Sequence, residues 1–183
     1  MTANMTSQNA RYDEAATEFG GAIGRLAYAY ERDPDKRADL VQDIHFELWR
    51  SFKIFDGRCS VRTWVYRIAH NTGASHILKN KRLSRGGHFL SIDDVGDIPD
   101  QTDYADVFER IDQIDQLMAL IQKLGPVDRQ IITLYLEGFD AASIGEIAGL
   151  NPGAVATKIH RIKYKLSELF SKGETHVRRL AKP

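Results

Sequence analysis

Apolar side chains recur at steps of three and four residues along the first third of the chain, which is the spacing of amphipathic α-helices. A first helix is predicted across Tyr12, Ala15, Ala16, Phe19, Ile23, Leu26, Ala27 and Tyr30. Asp33-Pro34 marks the start of a second helix, because aspartate caps free N–H groups and proline fits the first helical turn. The apolar positions of that helix are Leu40, Val41, Ile44, Leu48, Trp49 and Phe52.

A loop from Ser51 to Ser60, with a turn at Asp56-Gly57, is predicted to separate the second helix from a third. Ser60 is placed to cap the third helix, which we expect to run to about Arg82. The apolar positions of the third helix are Val61, Trp64, Val65, Ile68, Ala69 and Thr72. Their spacing places Trp64 on the buried face, so we assign it to the core.

The pattern changes after residue 85. Residues 86–107 combine two adjacent glycines and a proline with many aspartates, and we predict a flexible linker that charge repulsion keeps extended. Helical spacing returns at Ile111, Ile114, Leu117, Met118, Ile121 and Leu124. Gly125-Pro126 breaks the chain before a helix from about Val127 to Glu137, and Asp140 is placed to cap a short helix.

The predicted fold class is all-α, because the chain shows no useful β-alternation and no internal repeat. We expect two small helical domains, residues 10–85 and 108–172, joined by the acidic linker 86–107. Residues 173–183 form a basic tail that is compatible with disorder.

Residues 140–170 have the spacing of a helix-turn-helix motif. Its core, crossing and turn positions are Ile144, Gly145, Gly149 and Val155, and Asn151-Pro152 provides the start of its second helix. That helix is apolar at Val155, Ile159, Ile162 and Leu166, while its other side carries Thr157, Lys158, His160, Arg161, Lys163 and Lys165. A basic helix after a tight turn is how this motif enters the DNA major groove, and an ordinary helical hairpin is the alternative.

Twenty-five basic and 25 acidic residues give a net charge of zero, but the charges are segregated. Residues 57–85 carry seven bases and no acid, residues 86–121 carry nine acids and one base, and residues 147–183 carry eight bases and two acids. Two basic blocks on either side of an acidic one indicate two polyanion-binding surfaces, because basic side chains release counterions from phosphates. Solvated helix faces are the alternative.

Two segments of the first predicted domain carry a family resemblance: Asp-Leu-Val-Gln-Asp-Ile-His-Phe-Glu-Leu-Trp-Arg at 39–50 and Ser-Val-Arg-Thr-Trp-Val-Tyr-Arg-Ile-Ala-His-Asn at 60–71. Followed by a helix-turn-helix in so short a chain, they resemble the sigma-70 family of bacterial RNA polymerase sigma factors. The resemblance is greatest to the small extracytoplasmic-function (ECF) group, and covers roughly residues 12–85 and 108–170. It implies a promoter-specificity subunit that binds core polymerase and directs initiation at −10 and −35 elements without catalysing a reaction.

For core polymerase, the resemblance implies docking of the second helix on the clamp helices of the largest subunit. The implied contacts are Asp39, Gln42, Asp43, Phe46 and Glu47. A core position is the alternative for Phe46, and simple solvation is the alternative for the acids. The flap region of polymerase, promoter DNA and an anti-sigma factor are the other implied partners.

For the −10 element, the resemblance assigns the loop around residues 52–60 to capture of a base flipped out of the promoter. Extrusion costs stacking energy that a pocket and nearby cations must return. The loop candidates are Lys53, Phe55, Asp56 and Arg58. On the third helix, the candidates are Asn71 and Ser75 for the non-template strand and Arg67, Lys79, Lys81 and Arg82 for phosphates.

For the −35 element, the residues that match the family's readers are Ala156, Thr157, Lys158, His160 and Arg161. The linker resembles the acidic segment that such factors thread through the RNA path of polymerase, where carboxylates mimic nucleic acid.

Two positions depart from the family. Gly145 stands where alanine is usual, which we expect to loosen the helix crossing, and Ala156 stands where a basic or polar residue is frequent.

Other classes of protein account for less of the sequence. A stand-alone helix-turn-helix regulator explains residues 140–170 but leaves the block from Asp39 to Asn71 unexplained. The six histidines form no ligand pair at metal spacing, and no phosphate-binding glycine loop or nucleophile motif is present, so we expect no enzyme, metal or cofactor.

No apolar run approaches the ~20 residues of a membrane span and the start lacks the form of a signal peptide. The single Cys59 cannot form an internal disulfide, so we expect a cytoplasmic protein with no integral membrane association.

Overall fold

A computed structural model of the protein describes residues 2–83 and 107–180, and describes side chains over residues 7–80 and 113–169. Across these residues the chain forms seven α-helices: α1 (Thr2–Tyr30), α2 (Pro34–Ser51), α3 (Val61–Leu83), α4 (Val107–Lys123), α5 (Pro126–Leu136), α6 (Ala141–Ala148) and α7 (Pro152–Leu180). The prediction of an all-α fold is confirmed. The predicted linker up to residue 106 and the last three residues lie outside the described part.

The first unit packs α1, α2 and α3 against one another. α2 begins where predicted, because the Asp33 carboxylate accepts hydrogen bonds from the N–H groups of Asp35 and Lys36 at 3.0 and 3.1 Å. Ser60 caps α3, because its hydroxyl oxygen accepts a hydrogen bond from the Thr63 N–H group at 3.0 Å. The core of the unit includes Ile23, Leu26, Leu40, Ile44, Leu48 and Val65, all buried.

Two details of the first unit differ from the sequence-based expectation. α1 begins at Thr2 rather than near Tyr12, and it continues through three glycines that favour a weaker helix. The prediction that Val61 lies on the buried face of the third helix is wrong. Val61 is 39% exposed, because it lies in the first turn of α3, at the end of the helix.

The second unit packs α5, α6 and α7 together, with α4 beside them. The Asp140 carboxylate caps α6 by accepting a hydrogen bond from the Ser143 N–H group at 2.7 Å. Gly149 ends α6 in the left-handed conformation (φ +69°), and Asn151 caps α7. The apolar positions Ile144, Val155, Ile162 and Leu166 are buried and Ile159 packs against them, so the helix-turn-helix prediction is confirmed.

The expectation that Gly145 loosens the helix crossing of the helix-turn-helix is wrong. A Cβ atom at this position would lie 2.6 Å from the Leu150 carbonyl oxygen, closer than van der Waals contact allows. The backbone of the turn therefore approaches α6 more tightly than an alanine would permit.

The two units contact each other through α3 against α6 and through α1 against α4 and α5. The sequence predicts a tether between them but not this contact. It brings the basic first turns of α3 against the turn between α5 and α6.

Candidate polymerase and nucleic-acid interfaces

The predicted polymerase contacts share one surface of α2. Asp39, Gln42, Asp43 and Phe46 are exposed, and Glu47 is half-buried. Phe46 is 56% exposed, so the alternative that it belongs to the core is wrong. Its ring centroid lies 6.3 Å from that of Trp49, which supports the ring from one side.

A groove of about 810 Å³ runs between α2 and α3. All five predicted polymerase contacts line it, together with Asn71, Ser75 and Lys79 of the predicted −10 contacts. The Ser75 hydroxyl donates to the Asn71 carbonyl oxygen at 2.8 Å, so this hydroxyl is engaged within its own helix. The structure thus brings these three −10 candidates onto the wall that faces the predicted polymerase contacts of α2.

The loop after α2 is built on three aromatic rings. Phe55 lies edge-on to buried Phe52 at 5.8 Å between centroids and contacts Trp64 at 5.3 Å. The Trp64 indole N–H donates to the Ser51 hydroxyl at 2.9 Å. Trp64 is half-buried and packs against the core, as its assignment to the buried face predicts. The guanidinium of Arg11 lies 6.0 Å from the Phe55 centroid and partly covers the ring.

The polar candidates of this loop differ in how they are engaged. The Asp56 carboxylate accepts a hydrogen bond from the Arg58 N–H group at 3.1 Å and pairs with its guanidinium at 2.9 Å. The Lys53 ammonium lies 5.5 Å from the Trp49 ring centroid. All three side chains are exposed, and the Asp56 carboxylate is engaged by Arg58 within the turn.

The start of α1 holds the last turn of α2, just before this loop, through contacts that sequence analysis missed. The Gln8 side-chain amide donates to the Trp49 carbonyl oxygen at 2.7 Å, and the Trp49 indole N–H donates to the Asn9 side-chain oxygen at 2.9 Å. Gln8 is buried, and it continues the helical spacing of Tyr12 and Ala15 one step toward the N-terminus. That spacing is the signal that could have revealed it.

The predicted −35 readers lie on the first turns of α7. Ala156, Thr157, His160 and Arg161 are exposed. Lys158 is half-buried, and its Nζ atom lies 2.6 Å from Oδ1 of Asp128 on α5. The basic face of α7 is therefore partly tied to the scaffold that supports it.

Arg67 is turned toward the second unit. Its guanidinium donates to the Glu146 carbonyl oxygen of α6 at 3.0 Å. Arg25 pairs with Glu137 across the same interface at 2.7 Å, and this pairing, with a hydrogen bond from Tyr66, lowers the pKa of Glu137. The remaining phosphate candidates, Lys81 and Arg82, lie outside the residues whose side chains the structure describes.

A buried polar cluster supports the interface between the units. His70 Nδ1 lies 2.8 Å from the Tyr30 hydroxyl, and burial lowers the pKa of His70 to about 3. The Arg129 guanidinium lies 5.4 Å from the Tyr30 ring centroid and donates to the Gln122 and Leu124 carbonyl oxygens at the end of α4. Burial lowers the pKa of Arg129 to about 10, so it stays charged at neutral pH.

Membrane spans and metal sites are both absent from the described part of the chain. Within residues 2–83 and 107–180, no helix has the length and apolar content needed to cross a membrane. The described histidine, cysteine and carboxylate side chains form no group of three that could hold a metal ion.

Comparison with known proteins places both units in one family. Residues 16–83 match Sigma-70 region 2, and residues 114–166 match Sigma-70, region 4, together about two thirds of the chain. The ECF RNA polymerase sigma factor SigW of Bacillus subtilis (strain 168) is 26% identical, over 76% of this chain and 78% of SigW.

Two solved structures share the fold. The sigma factor RpoE in complex with the anti-sigma factor NepR, from Bartonella quintana, is 22% identical with a TM-score of 0.65, covering 87% of this chain and 96% of that one. CnrH in complex with the cytosolic domain of CnrY is 20% identical with a TM-score of 0.65, covering 93% and 94%. With the two regional matches, these likenesses identify the chain as a member of the sigma-70 family of RNA polymerase sigma factors, in the ECF group.

Proposed function

We propose that this sigma factor docks on core RNA polymerase through the face of α2 that lines the groove. The observation that carries the proposal is Phe46, an exposed ring next to Asp43 and Glu47 on that face. An exposed aromatic ring among charged residues has the composition of a protein-binding hot spot. The clamp helices of the largest subunit are the proposed partner of this face.

The opposite wall of the groove is proposed to hold the non-template strand of the −10 element. Asn71 and Ser75 offer polar groups one helical turn apart, and Lys79 offers a cation for phosphate on the next turn. Polymerase and DNA would then meet on adjacent walls of one groove. This arrangement explains how docking and strand capture can support each other.

The loop between α2 and α3 is proposed to capture the flipped base. Phe55 supplies a ring for stacking, and exposed Lys53 and Arg58 supply charge for the flanking phosphates. Asp56 is proposed to shape the turn through Arg58 rather than to contact the base.

The N-terminal turns of α7 are proposed to enter the major groove of the −35 element. Thr157, His160 and Arg161 are exposed there, and Lys158 lies beside them against α5. The second unit is also proposed to contact the flap region of polymerase, which would set the distance between the two promoter elements.

The remaining assignments concern partners and place of action. We infer that residues 10–85 and 108–172 act as separate domains, with the acidic linker in the RNA path of polymerase. RpoE is seen with the anti-sigma factor NepR, and CnrH with the cytosolic domain of CnrY, and an anti-sigma factor is the proposed regulator of this chain. The protein is proposed to act in the cytoplasm and to catalyse no reaction itself.

Transcription of fragmented genomic DNA tests the proposal while the promoter sequence is still unknown. Core polymerase is incubated with fragments of the source genome, with and without the protein, and the 5′ ends of the transcripts are sequenced. We expect protein-dependent starts that share two upstream motifs at a fixed spacing. Starts that do not depend on the protein would contradict the function, and dimeric binding to symmetric duplex sites would favour a stand-alone regulator.

A further inference from the structure

The turn between α5 and α6 inserts one carboxylate into the first unit. Glu137 Oε1 accepts a hydrogen bond from Arg25 Nε at 2.7 Å, and Oε2 accepts one from a terminal nitrogen of Arg25 at 2.8 Å. The Tyr66 hydroxyl donates to Oε2 at 2.8 Å. The Glu137 side chain is only 12% exposed, so most of the carboxylate side chain is shielded from solvent.

Arg62 closes the same pocket from the first turn of α3. Its guanidinium donates to the Glu137 carbonyl oxygen at 2.9 Å and lies 4.0 Å from the Phe139 ring centroid. The Tyr66 ring packs edge-on against Phe139 at 4.7 Å. Gly138, at φ +80°, makes the turn that presents the carboxylate and the ring together.

All the donors of this pocket belong to the first unit, and its occupant comes from the second. Arg25 and Glu137 are 112 residues apart in the chain. Arg25, Arg62 and Tyr66 all lie within the region 2 match, while Glu137 lies within the region 4 match. The pocket is therefore a property of the unit proposed to bind the −10 element.

The chemistry of the pocket suits a phosphate as well as a carboxylate. A forked guanidinium pairs with two oxygens of either anion, and the hydroxyl donor adds a third hydrogen bond. Arg62 stands in the acid-free basic block of residues 57–85, where counterion release favours a polyanion. Arg67, in the same block, is likewise covered by Glu146 of the second unit.

We propose that Arg25, Arg62 and Tyr66 form a binding site for a backbone phosphate of promoter DNA, and that Glu137 fills this site as an internal phosphate mimic while the two units are packed together. The inference rests on the proposed binding of DNA by the first unit. DNA and the second unit then compete for one pocket, so DNA engagement requires the units to separate.

A titration of the full chain with fluorescein-labelled DNA tests the competition. Because phosphate contacts are independent of sequence, a 30-nucleotide fork of arbitrary sequence serves as the probe. We expect Glu137→Gln, which removes the charge and keeps the shape, to bind this probe about tenfold more tightly at low salt than the unaltered chain. An unchanged affinity would overturn the role of Glu137 as a mimic.

The salt dependence of the same titration tests the pocket itself. In the Glu137→Gln background, Arg25→Gln should weaken binding and reduce the slope of log K against log [salt] by about one. Arg25 is 62% exposed on its side chain, so this change should not unfold the protein, which circular dichroism verifies. Arg62→Gln provides a second test at an exposed position.

Arg32→Gln is the matched control, because it removes an exposed cation of the first unit that does not contact Glu137. Its effect on the slope should be smaller than that of Arg25→Gln. Equal slopes for the Arg25 and Arg32 variants would overturn the phosphate site while leaving polymerase docking and DNA binding intact. Absence of DNA binding by the unaltered chain and by every variant would instead contradict the proposed binding of DNA by the first unit, and the pocket with it.

Discussion

Lys158 Nζ lies 2.6 Å from Oδ1 of Asp128, so one of the proposed −35 readers also joins α7 to α5. A lysine in this position can affect DNA binding by its own charge or through the orientation of the helix. Variants that alter Lys158 and Asp128 separately distinguish these two roles.

Reversing the charge of Lys158 and Arg161 to glutamate should abolish the benefit of an intact −35 element in transcription, because phosphates would then be repelled. Affinity for core polymerase should stay the same. Asp128→Asn is the control: it breaks the same ion pair, at a cost of up to about 1 kcal/mol in free energy of unfolding, yet keeps the cation. Equal loss of −35 use in this control would show that Lys158 acts through helix orientation.

Gly145→Ala should destabilise the second unit by roughly 1–3 kcal/mol in free energy of unfolding, because the new methyl group meets the Leu150 carbonyl at 2.6 Å. Gly24→Ala in α1 is the matched control, and it should increase the free energy of unfolding. No atom lies within 4 Å of the position its methyl group would take, and alanine is favoured in a helix by about 0.5–1 kcal/mol. Urea denaturation measures both, and stabilisation by Gly145→Ala would contradict the tight crossing.

His70 should make the protein less stable as the pH falls. Burial lowers its pKa in the folded protein to about 3, below the ordinary value of 6.5, so between these values the unfolded chain binds the extra proton. Its contribution to stability is complete above pH 6.5 and is lost progressively toward pH 3, by up to about 1.4 kcal/mol per pH unit.

Urea denaturation between about pH 7 and pH 5 checks this slope. His70→Gln keeps a hydrogen-bonding group for the Tyr30 hydroxyl but cannot titrate, so the stability of this variant should depend less on pH across this range. Identical slopes for the unaltered protein and the His70→Gln variant would contradict a neutral buried His70.

Gln8→Ala should impair promoter melting more than −35 binding, because Gln8 holds Trp49 in the last turn of α2, from which the proposed base-capture loop begins. Loss of one buried hydrogen bond should also cost about 1 kcal/mol in free energy of unfolding. Permanganate reactivity of −10 thymines measures melting. Ser7→Ala, at the exposed neighbouring position, is the control and should behave like the unaltered protein.

Local signals in the sequence predicted much of each unit. Asp33, Ser60 and Asp140 were identified as helix caps because a cap depends on residues two or three positions away. The exposure of Phe46 was left open, since an aromatic ring on a helix face fits a core or a docking surface equally well.

The contact between the units could not be predicted in this way. It depends on the ion pair between Arg25 and Glu137, which are 112 residues apart in the chain. In the sequence alone, neither Arg25 nor Glu137 differs from the other charged residues expected at a protein surface. Gln8 was missed for a related reason: a polar side chain was not counted in the apolar stripe although it occupies the next position of that stripe.

Fluorescence anisotropy of the labelled full chain with core RNA polymerase, without DNA, tests whether α2 docks on the polymerase. We expect saturable nanomolar binding that another sigma factor competes away. Asp39→Lys combined with Asp43→Lys should weaken this binding by about 100-fold or more, because it reverses two exposed charges of the docking face. Unchanged affinity of that variant would contradict the docking face, and absence of binding by the folded, helical protein would contradict the sigma-factor account.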